Sequence, residues 1–338
     1  MSDIATMATA PGTEWLDQRV EQLLPQQLTA DEMRLKCISL ADFLSLDIPP
    51  RRMLLSPWLP AAGLAMLYAP RGVGKSWLAL SIGYAIAGGG KFLDWQAPSA
   101  VPVLFLDGEM PAVAMQERLA TIVKSADFEA EPTTLQLLTP DLQPAGMPDL
   151  STVEGQMAVQ PFVDSAQLII VDNIATLCRS GKENEGESWL RVQEWALRLR
   201  AQGKSVLFVH HAGKGGQQRG TSRREDVLDT VIALRYPKAG DDEMDNGARF
   251  ELHFEKNRGF FGEDADSRVV QLISDEDGSI RWVWEPLKES TFHRVVELLK
   301  DGLTPTEAAK ELEIHKSTAT RYKQRAEREG LLTPKSGK

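Results

Sequence analysis

The chain has 338 residues, of which 42% are hydrophobic and 25% charged, and its formal net charge at pH 7 is −10. This length suits one large domain with a small appendage, or two domains. The acidic net charge argues against a broad surface that coats nucleic acid. No apolar run approaches the roughly 18 residues of a membrane helix, and the N-terminus lacks an export pattern. The two cysteines fit a reducing cytosol.

Residues 1–53 have weak patterning and are interpreted as an N-terminal arm and lead-in. Residues 15–24 could form one or two amphipathic turns, and residues 48–52 are typical of an extended segment. Two interpretations stay open for this region: a disordered tail followed by a strap, or an arm that packs on a neighbouring subunit.

Four short apolar runs predict strands that are buried on both faces, because their apolar residues are continuous rather than alternating. They are residues 63–68, 101–106, 168–171 and 205–209. Helical patterns lie between them, the clearest at residues 189–200. This alternation predicts an α/β fold with a parallel sheet and helices on both faces.

After Thr230 the pattern changes. Phe250, Leu252 and Phe254 alternate with polar residues, and residues 269–273 and 280–284 flank a turn. These features predict antiparallel strands that extend the sheet. The expected core therefore spans residues 54–286, followed by a small helical module at residues 287–338.

A glycine-rich loop between the first buried strand and a helical stretch has the pattern of a phosphate-binding cradle. Glycines let backbone N–H groups point at phosphate oxygens, Lys75 can reach the β- and γ-phosphates, and the Ser76 hydroxyl can hold Mg²⁺. Ala69 stands where the first glycine of the pattern is usual. The expected nucleotide-binding residues are Ala69, Pro70, Arg71, Gly72, Val73, Gly74, Lys75, Ser76 and Trp77.

Acidic residues follow the next two predicted strands. At a strand tip beside the phosphate loop, a carboxylate can orient an attacking water, and Glu109 is the first choice for this role with Asp107 the second. The alternative is an ordinary solvated loop acid. Asp172 follows four apolar residues and is the expected Mg²⁺-side acid.

His210 and His211 end the fourth predicted strand. Adjacent strand residues point to opposite faces, so only one of the two can line a site. We expect His211 to lie near the γ-phosphate and His210 to be packed. No cysteine or acidic residue has zinc-ligand spacing to the pair.

Two basic features follow. Residues 213–224 are rich in glycine and carry no acid, which fits either a loop that follows a phosphodiester backbone or a solvated loop. The basic side chains of that loop are Lys214, Arg219, Arg223 and Arg224. Lys256 and Arg258 end the alternating strand, where they could stabilise γ-phosphate charge across a subunit boundary or form a surface ion pair.

Together these motifs resemble the RecA-like superfamily of ATPases, and within it the RepA-type and DnaB-type hexameric helicases. The resemblance rests on APRGVGKS, LDGEM, LIIVDN, VHHAGK, RGTS and EKNRG, in that order, and covers residues 54–284. It implies a ring of usually six subunits, with ATP and Mg²⁺ between neighbours and single-stranded DNA in the channel.

The resemblance also implies residue roles. Glu109 matches the catalytic glutamate, Asp172 the metal-side acid and His211 the sensor, while Lys256 and Arg258 match the pair that reaches the next subunit's nucleotide. Arg219 matches either an arginine finger or a DNA-contacting residue, and this alternative stays open.

The tail from Thr291 to the end has ten basic residues against seven acidic ones. Thr304 and Pro305, with Glu307 three residues after the threonine, indicate a helix start. The segment looks like a winged helix-turn-helix, which would enter a major groove of duplex DNA or serve as a docking or dimerisation unit. The second helix of the motif would expose Lys316, Thr318, Arg321 and Lys323.

Two functional hypotheses follow from these features. The first is a DNA-dependent ring motor of the replicative-helicase type that hydrolyses ATP. The second is an ATP-switched DNA-binding regulator or helicase loader. A small-molecule kinase is a weak third reading, because it leaves the basic loop, Lys256, Arg258 and the C-terminal module without a role.

Overall fold

The structure is a computed structural model that describes residues 37–179, 185–212, 225–237 and 248–332. The chain divides into two compact units, Met1–Pro50 and Arg51–Lys338. In the first unit, helix α1 (Leu40–Ser45) begins where the Ser39 hydroxyl accepts the backbone N–H of Asp42.

The second unit is an α/β core followed by three helices. Its first half contains β1 (Met53–Leu55), β2 (Leu59–Pro60), β3 (Leu64–Ala69), α2 (Lys75–Gly88), β4 (Lys91–Phe92), β5 (Trp95–Gln96), β6 (Val103–Asp107), α3 (Ala112–Ser125), β7 (Leu135–Leu138), α4 (Val153–Ser165), β8 (Leu168–Asp172) and α5 (Ile174–Leu177). Short 3₁₀ turns lie at Pro140–Leu142 and Gly262–Ala265.

Its second half contains α6 (Glu185–Ala201), β9 (Ser205–His211), β10 (Thr230–Arg235), β11 (Arg249–Asn257), β12 (Arg268–Ser274), β13 (Ile280–Pro286), α7 (Leu287–Lys300), α8 (Pro305–Glu311) and α9 (Lys316–Arg328). In the described part of the chain, no helix is both long and apolar enough to span a bilayer.

One nine-stranded sheet organises the core, in the order β13-β12-β11-β10-β3-β9-β8-β6-β7. The strands from β10 to β7 run parallel, whereas β11, β12 and β13 are antiparallel. The predicted α/β fold is confirmed, including the antiparallel extension. Because the connections cross over helices, the carboxyl ends of β3, β6, β8 and β9 meet at one edge.

Apolar side chains on successive residues of β3 enter different cores. Leu64, Met66 and Tyr68 join α4 and α6 on one face of the sheet, while Ala65 and Leu67 join α2 on the other. This two-sided burial explains why the parallel strands are continuously apolar in sequence.

The C-terminal helices form a small bundle. Thr304 and Glu307 make a reciprocal capping box at the start of α8, as the sequence predicted. Phe292, Val296 and Ala326 form the core of the bundle. The wing expected after α9 is not formed up to Leu332, since no strand follows this helix within the described residues.

Candidate active site

The phosphate-loop pattern folds as a strand, loop and helix. Gly74 has φ 112°, and a Cβ at this position would lie 2.4 Å from the Cβ of Ala248, so only glycine fits. Ala69 is buried at the end of β3 and pairs in register with His211. Because Ala69 lies in regular strand, the missing first glycine leaves the loop geometry intact.

Lys75 begins α2 and folds back over the loop. Its ammonium Nζ donates to the carbonyl oxygen of Pro70 at 3.1 Å. Burial lowers the pKa of Lys75, whereas the carboxylates of Asp172 and Glu109 act in the opposite direction. A cation held in this way at the start of a helix suits a ligand with several negative charges.

Two buried carboxyls lie side by side at the carboxyl edge of the sheet. Asp107 and Asp172 pair in register at the ends of β6 and β8. Burial, followed by the charge of Asp172, raises the pKa of Asp107 to about 7, although the N–H groups of Met110 and Glu109 partly offset the rise. Burial also raises the pKa of Asp172, which a hydrogen bond from Ser76 and the charge of Lys75 oppose.

The surroundings of Asp172 fit a hard divalent cation. Its Oδ2 is buried and finds no hydrogen-bond partner within the described residues, and the Ser76 hydroxyl is its neighbour. A carboxylate and a hydroxyl are ligands that suit Mg²⁺. A bound cation would satisfy the orphaned oxygen and offset the cost of burying its charge.

A three-residue network joins the ends of β6, β8 and β9. Nδ2 of Asn173 donates to Oε2 of Glu109 at 2.5 Å and lies 3.3 Å from Nε2 of His211. The same His211 nitrogen is 3.5 Å from Glu109. Burial, followed by the charge of Lys75, lowers the pKa of His211, which favours the neutral ring. His211 lines the site, and His210 is buried but does not line it.

Close packing holds Glu109 at this point. A Cβ at Gly108 would lie 2.3 Å from Oγ1 of Thr176, on α5. The glycine therefore allows α5 to approach β6 closely. Asn173 caps the same helix, since its Oδ1 accepts the N–H of Thr176 at 3.3 Å. The residue that bonds Glu109 is thus itself fixed by the start of a helix.

The structure adds a cation that the motifs did not identify. Arg118, on α3, lines the same cleft and lies 5.2 Å from the ring centroid of Trp77. Burial lowers the pKa of Arg118, while Asp172 and Asp107 act in the opposite direction. Its only signal in the sequence was its place on the helix that directly follows the Glu109 turn.

These side chains surround a cavity of about 480 Å³ at the carboxyl edge of the sheet. Its residues combine a phosphate loop, acids, a histidine and cations. The sequence-predicted residues that line it are Arg71, Gly72, Gly74, Lys75, Ser76, Trp77, Asp107, Glu109, Asp172 and His211. Asn173, Arg118 and Ala248 line it without having been predicted.

Lys256 and Arg258 lie elsewhere. Arg258 N–H donates to the Asp229 carbonyl, and Asp229 N–H donates to that of Leu64, at the opposite end of β3 from the phosphate loop. The Lys256 ammonium bonds the Glu225 carbonyl, and Nη2 of Arg258 bonds that of Asp226 at 3.2 Å. The predicted loop residues Lys214, Arg219, Arg223 and Arg224 lie outside the described part of the chain.

The four residues predicted to be exposed on the second helix of the motif differ in their exposure. Lys316 and Arg321 are exposed on α9, but Thr318 and Lys323 are only half-exposed, and Lys323 lies 3.5 Å from Glu327. The outward face of the helix instead follows a spacing of three or four residues. That face comprises Ser317, Arg321, Gln324 and Arg328.

The fold and site define a RecA-like P-loop ATPase with a C-terminal helix-turn-helix. A model of the AAA domain matches residues 29–217, and the chain belongs to this family. A model described as the homeodomain-like domain matches residues 293–333.

Two solved structures are similar to part of the chain. The KaiC-like protein PH0186 from Pyrococcus horikoshii OT3 is 15% identical with a TM-score of 0.46, covering 70% of this chain and 100% of that one. The flagellar accessory protein FlaH from Methanocaldococcus jannaschii is 13% identical with a TM-score of 0.46, covering 66% and 90%.

Proposed function

We propose that this protein is a DNA-dependent ring motor of the replicative-helicase type, which hydrolyses ATP between neighbouring subunits. The observation that supports this proposal is the position of Arg258. Leu64, at the level of Arg258, and Ala69 are five residue steps apart along β3, which is about 17 Å at the rise of a β-strand. Arg258 is therefore too distant to contact the nucleotide of its own subunit, and we infer that it contacts the nucleotide bound to a neighbouring copy.

Within one subunit, the proposed chemistry uses residues already in place. Backbone N–H groups of the loop and Lys75 bind the phosphates of ATP. Ser76 and Asp172 would hold Mg²⁺, which supplies neutralising charge to the β- and γ-phosphates when bound. Glu109, held by Asn173, orients the attacking water, and neutral His211 contacts the γ-phosphate region.

Between subunits, Lys256 and Arg258 stabilise the charge that develops on the neighbour's γ-phosphate. Arg219 acts either as a second finger or as a DNA contact. Lys214, Arg223 and Arg224 follow the backbone of single-stranded DNA in the channel. The module at residues 287–338 binds duplex DNA through α9.

A second candidate is an ATP-switched DNA-binding regulator or helicase loader. The outward face of α9 favours it, because Arg321 and Arg328 are exposed there with Gln324 between them. Arginine and glutamine are side chains that read base edges in a major groove. In this alternative, ATP governs assembly of the protein, and the C-terminal module brings the assembled protein to a site on duplex DNA.

The deciding experiment compares ATPase activity with and without single-stranded DNA and adds a strand-separation assay on a forked duplex. The motor predicts strong stimulation together with ATP-dependent strand separation. Stimulation without unwinding would favour the loader or regulator, and no stimulation would refute the motor. Lys75→Ala is the control that assigns the activity to this site.

A further inference from the structure

A rigid turn after β11 presents one aromatic side chain to solvent. Gly259 and Gly262 have φ of 98° and 71°, and Nδ2 of Asn257 donates to the carbonyl of Phe260 at 2.9 Å. Phe260 is buried, with its ring centroid 5.0 Å from that of Phe254. Its neighbour Phe261 is 85% exposed. The turn therefore anchors one phenyl ring and holds the other outward.

The position of this turn sets it apart from a scattered surface hydrophobic, which would need no explanation. Phe261 is three residues from Arg258, at the end of the sheet that lies opposite the nucleotide cleft. The side chain proposed to complete a neighbour's site is thus carried beside an exposed aromatic ring.

The opposite end of the core has an exposed apolar pair of its own. Val113 and Leu142 are 66% and 67% exposed. The residues that precede them are joined, because the N–H of Ala112 donates to the Asp141 carboxylate at 2.8 Å. Pro111, two residues before Val113, lines the nucleotide cleft. We call Val113 and Leu142 the apolar rim.

We propose that Phe261 of one copy packs on the apolar rim of a second copy and so seats Arg258 over the nucleotide of that copy. The inference deepens the proposed function and rests on its ATP site lying between subunits. Phe261 and the apolar rim lie at different ends of the core, so each pairing leaves one Phe261 and one rim free. Such a head-to-tail contact builds a ring or a filament.

Charge on the two surfaces is compatible with this pairing. Arg258 precedes Phe261, Asp141 precedes Leu142 of the apolar rim, and Glu109 lines the adjacent cleft. Glu263 and Asp264 follow Phe261, and Arg71 is exposed at the cleft. Each surface therefore presents both signs of charge. In the proposed contact, Arg258 can face the acids at the cleft, while Glu263 and Asp264 can face Arg71.

Cross-linking tests the contact without relying on activity. In a background with Cys37→Ser and Cys178→Ser, one subunit carries Phe261→Cys and the other Val113→Cys, and a short bismaleimide is added with an ATP analogue. The mixture should give a covalent pair, whereas either variant alone should not. Efficient cross-linking of Phe261→Cys to itself would overturn the head-to-tail contact.

Phe162→Cys paired with Val113→Cys is the matched control, because Phe162 is also a surface phenylalanine, 41% exposed on α4. A yield from the Phe261 pair no higher than from this pair would reject the proposal. A wild-type protein that shows no ATPase activity would reject the proposed function and leave the cross-linking result interpretable.

Activity provides a second readout. Phe261→Ala should raise the protein concentration for half-maximal ATPase about tenfold or more, with the saturating rate recovered at high concentration. Leu142→Asp should do the same from the other surface, and Phe162→Ala should leave the curve unchanged. A Phe261→Ala curve equal to wild type would mark Phe261 as an ordinary surface residue.

Discussion

Asn173 holds Glu109 at a distance of 2.5 Å between Nδ2 and Oε2. Asn173, which follows the last residue of β8, thereby fixes the Glu109 carboxylate, which follows β6. Because the Asn173 amide also lies 3.3 Å from His211, one side chain joins three of the strand ends that form the cleft. Positioning of this kind precedes substrate binding and lowers the cost of orienting a water.

Glu109→Gln should retain ATP binding and lose hydrolysis. The amide keeps the shape of the side chain and removes the charge that draws a proton from water, so we expect kcat to fall by about 10² to 10⁴. Nucleotide affinity measured by calorimetry, alongside phosphate release, separates the two effects. Loss of binding with hydrolysis would mean that the carboxylate is structural.

Asn173→Asp should impair hydrolysis through Glu109 rather than through the fold. The aspartate keeps an acceptor for the N–H of Thr176, but it replaces the amide donor to Glu109 with a second carboxylate that repels it. We therefore expect Asn173→Asp to lower kcat while its melting temperature stays near that of wild type. Asn173→Ala loses both the cap and the donor, so it should lower kcat and the melting temperature together, and phosphate release and thermal unfolding measure the two effects.

Sequence patterns predicted the centre of the fold because burial on both faces leaves continuous apolar runs. All four predicted core strands lie within two residues of the observed β3, β6, β8 and β9. The acids and His211 were predictable because parallel strands bring their carboxyl ends to one edge.

The strands and site residues that the sequence did not predict lack a distinctive pattern. β7 is a half-exposed edge strand. β10 is a short apolar run, and such a run is compatible with either a helix or a strand. Arg118 and Asn173 act through tertiary contacts, the first across a helix and the second across neighbouring strands. The spacing of residues in a single sequence does not predict these tertiary contacts. The accessible face of α9 likewise depended on how the bundle packs.

Asp107→Asn should stabilise the nucleotide-free protein at neutral pH. The pKa of Asp107 rises from 3.8 to about 7 on folding, so the folded state binds more protons at this carboxyl across that window. Its contribution to stability therefore falls as pH rises from about 4 to 7. The loss is at most about 4 kcal/mol, and water in the cleft reduces it by screening.

Thermal unfolding from pH 4 to 8, without Mg²⁺, measures this difference. The melting temperature of Asp107→Asn should gain on that of wild type as pH rises to 7 and keep a constant lead above it, at about 2–4 °C per kcal/mol. Asp127→Asn, which removes an exposed carboxyl, controls for net charge. A constant gap over the whole range would contradict a buried titration at Asp107.

Mixed subunits test whether Arg258 acts on a neighbour. Lys75→Ala should abolish hydrolysis, because it removes the phosphate-binding ammonium from each subunit's own cleft. Arg258→Ala should abolish it by removing the charge supplied from the adjacent copy. In an equal mixture, a subunit with an intact Lys75 can sit beside one with an intact Arg258, so roughly a quarter of the interfaces should be complete.

ATPase activity of the mixture should therefore return to a measurable fraction of wild type, whereas each variant alone stays inactive at the same total concentration. Sedimentation of each variant with an ATP analogue confirms that assemblies form before rates are compared. A double variant, Lys75→Ala with Arg258→Ala, mixed with either single variant is the matched control, because none of its interfaces can be complete. Activity confined to the first mixture requires an arginine supplied across subunits. If assembled mixtures remain inactive, Arg258 acts within its own chain or not at all, and the placement of Lys256 and Arg258 at the far end of the sheet is then structural.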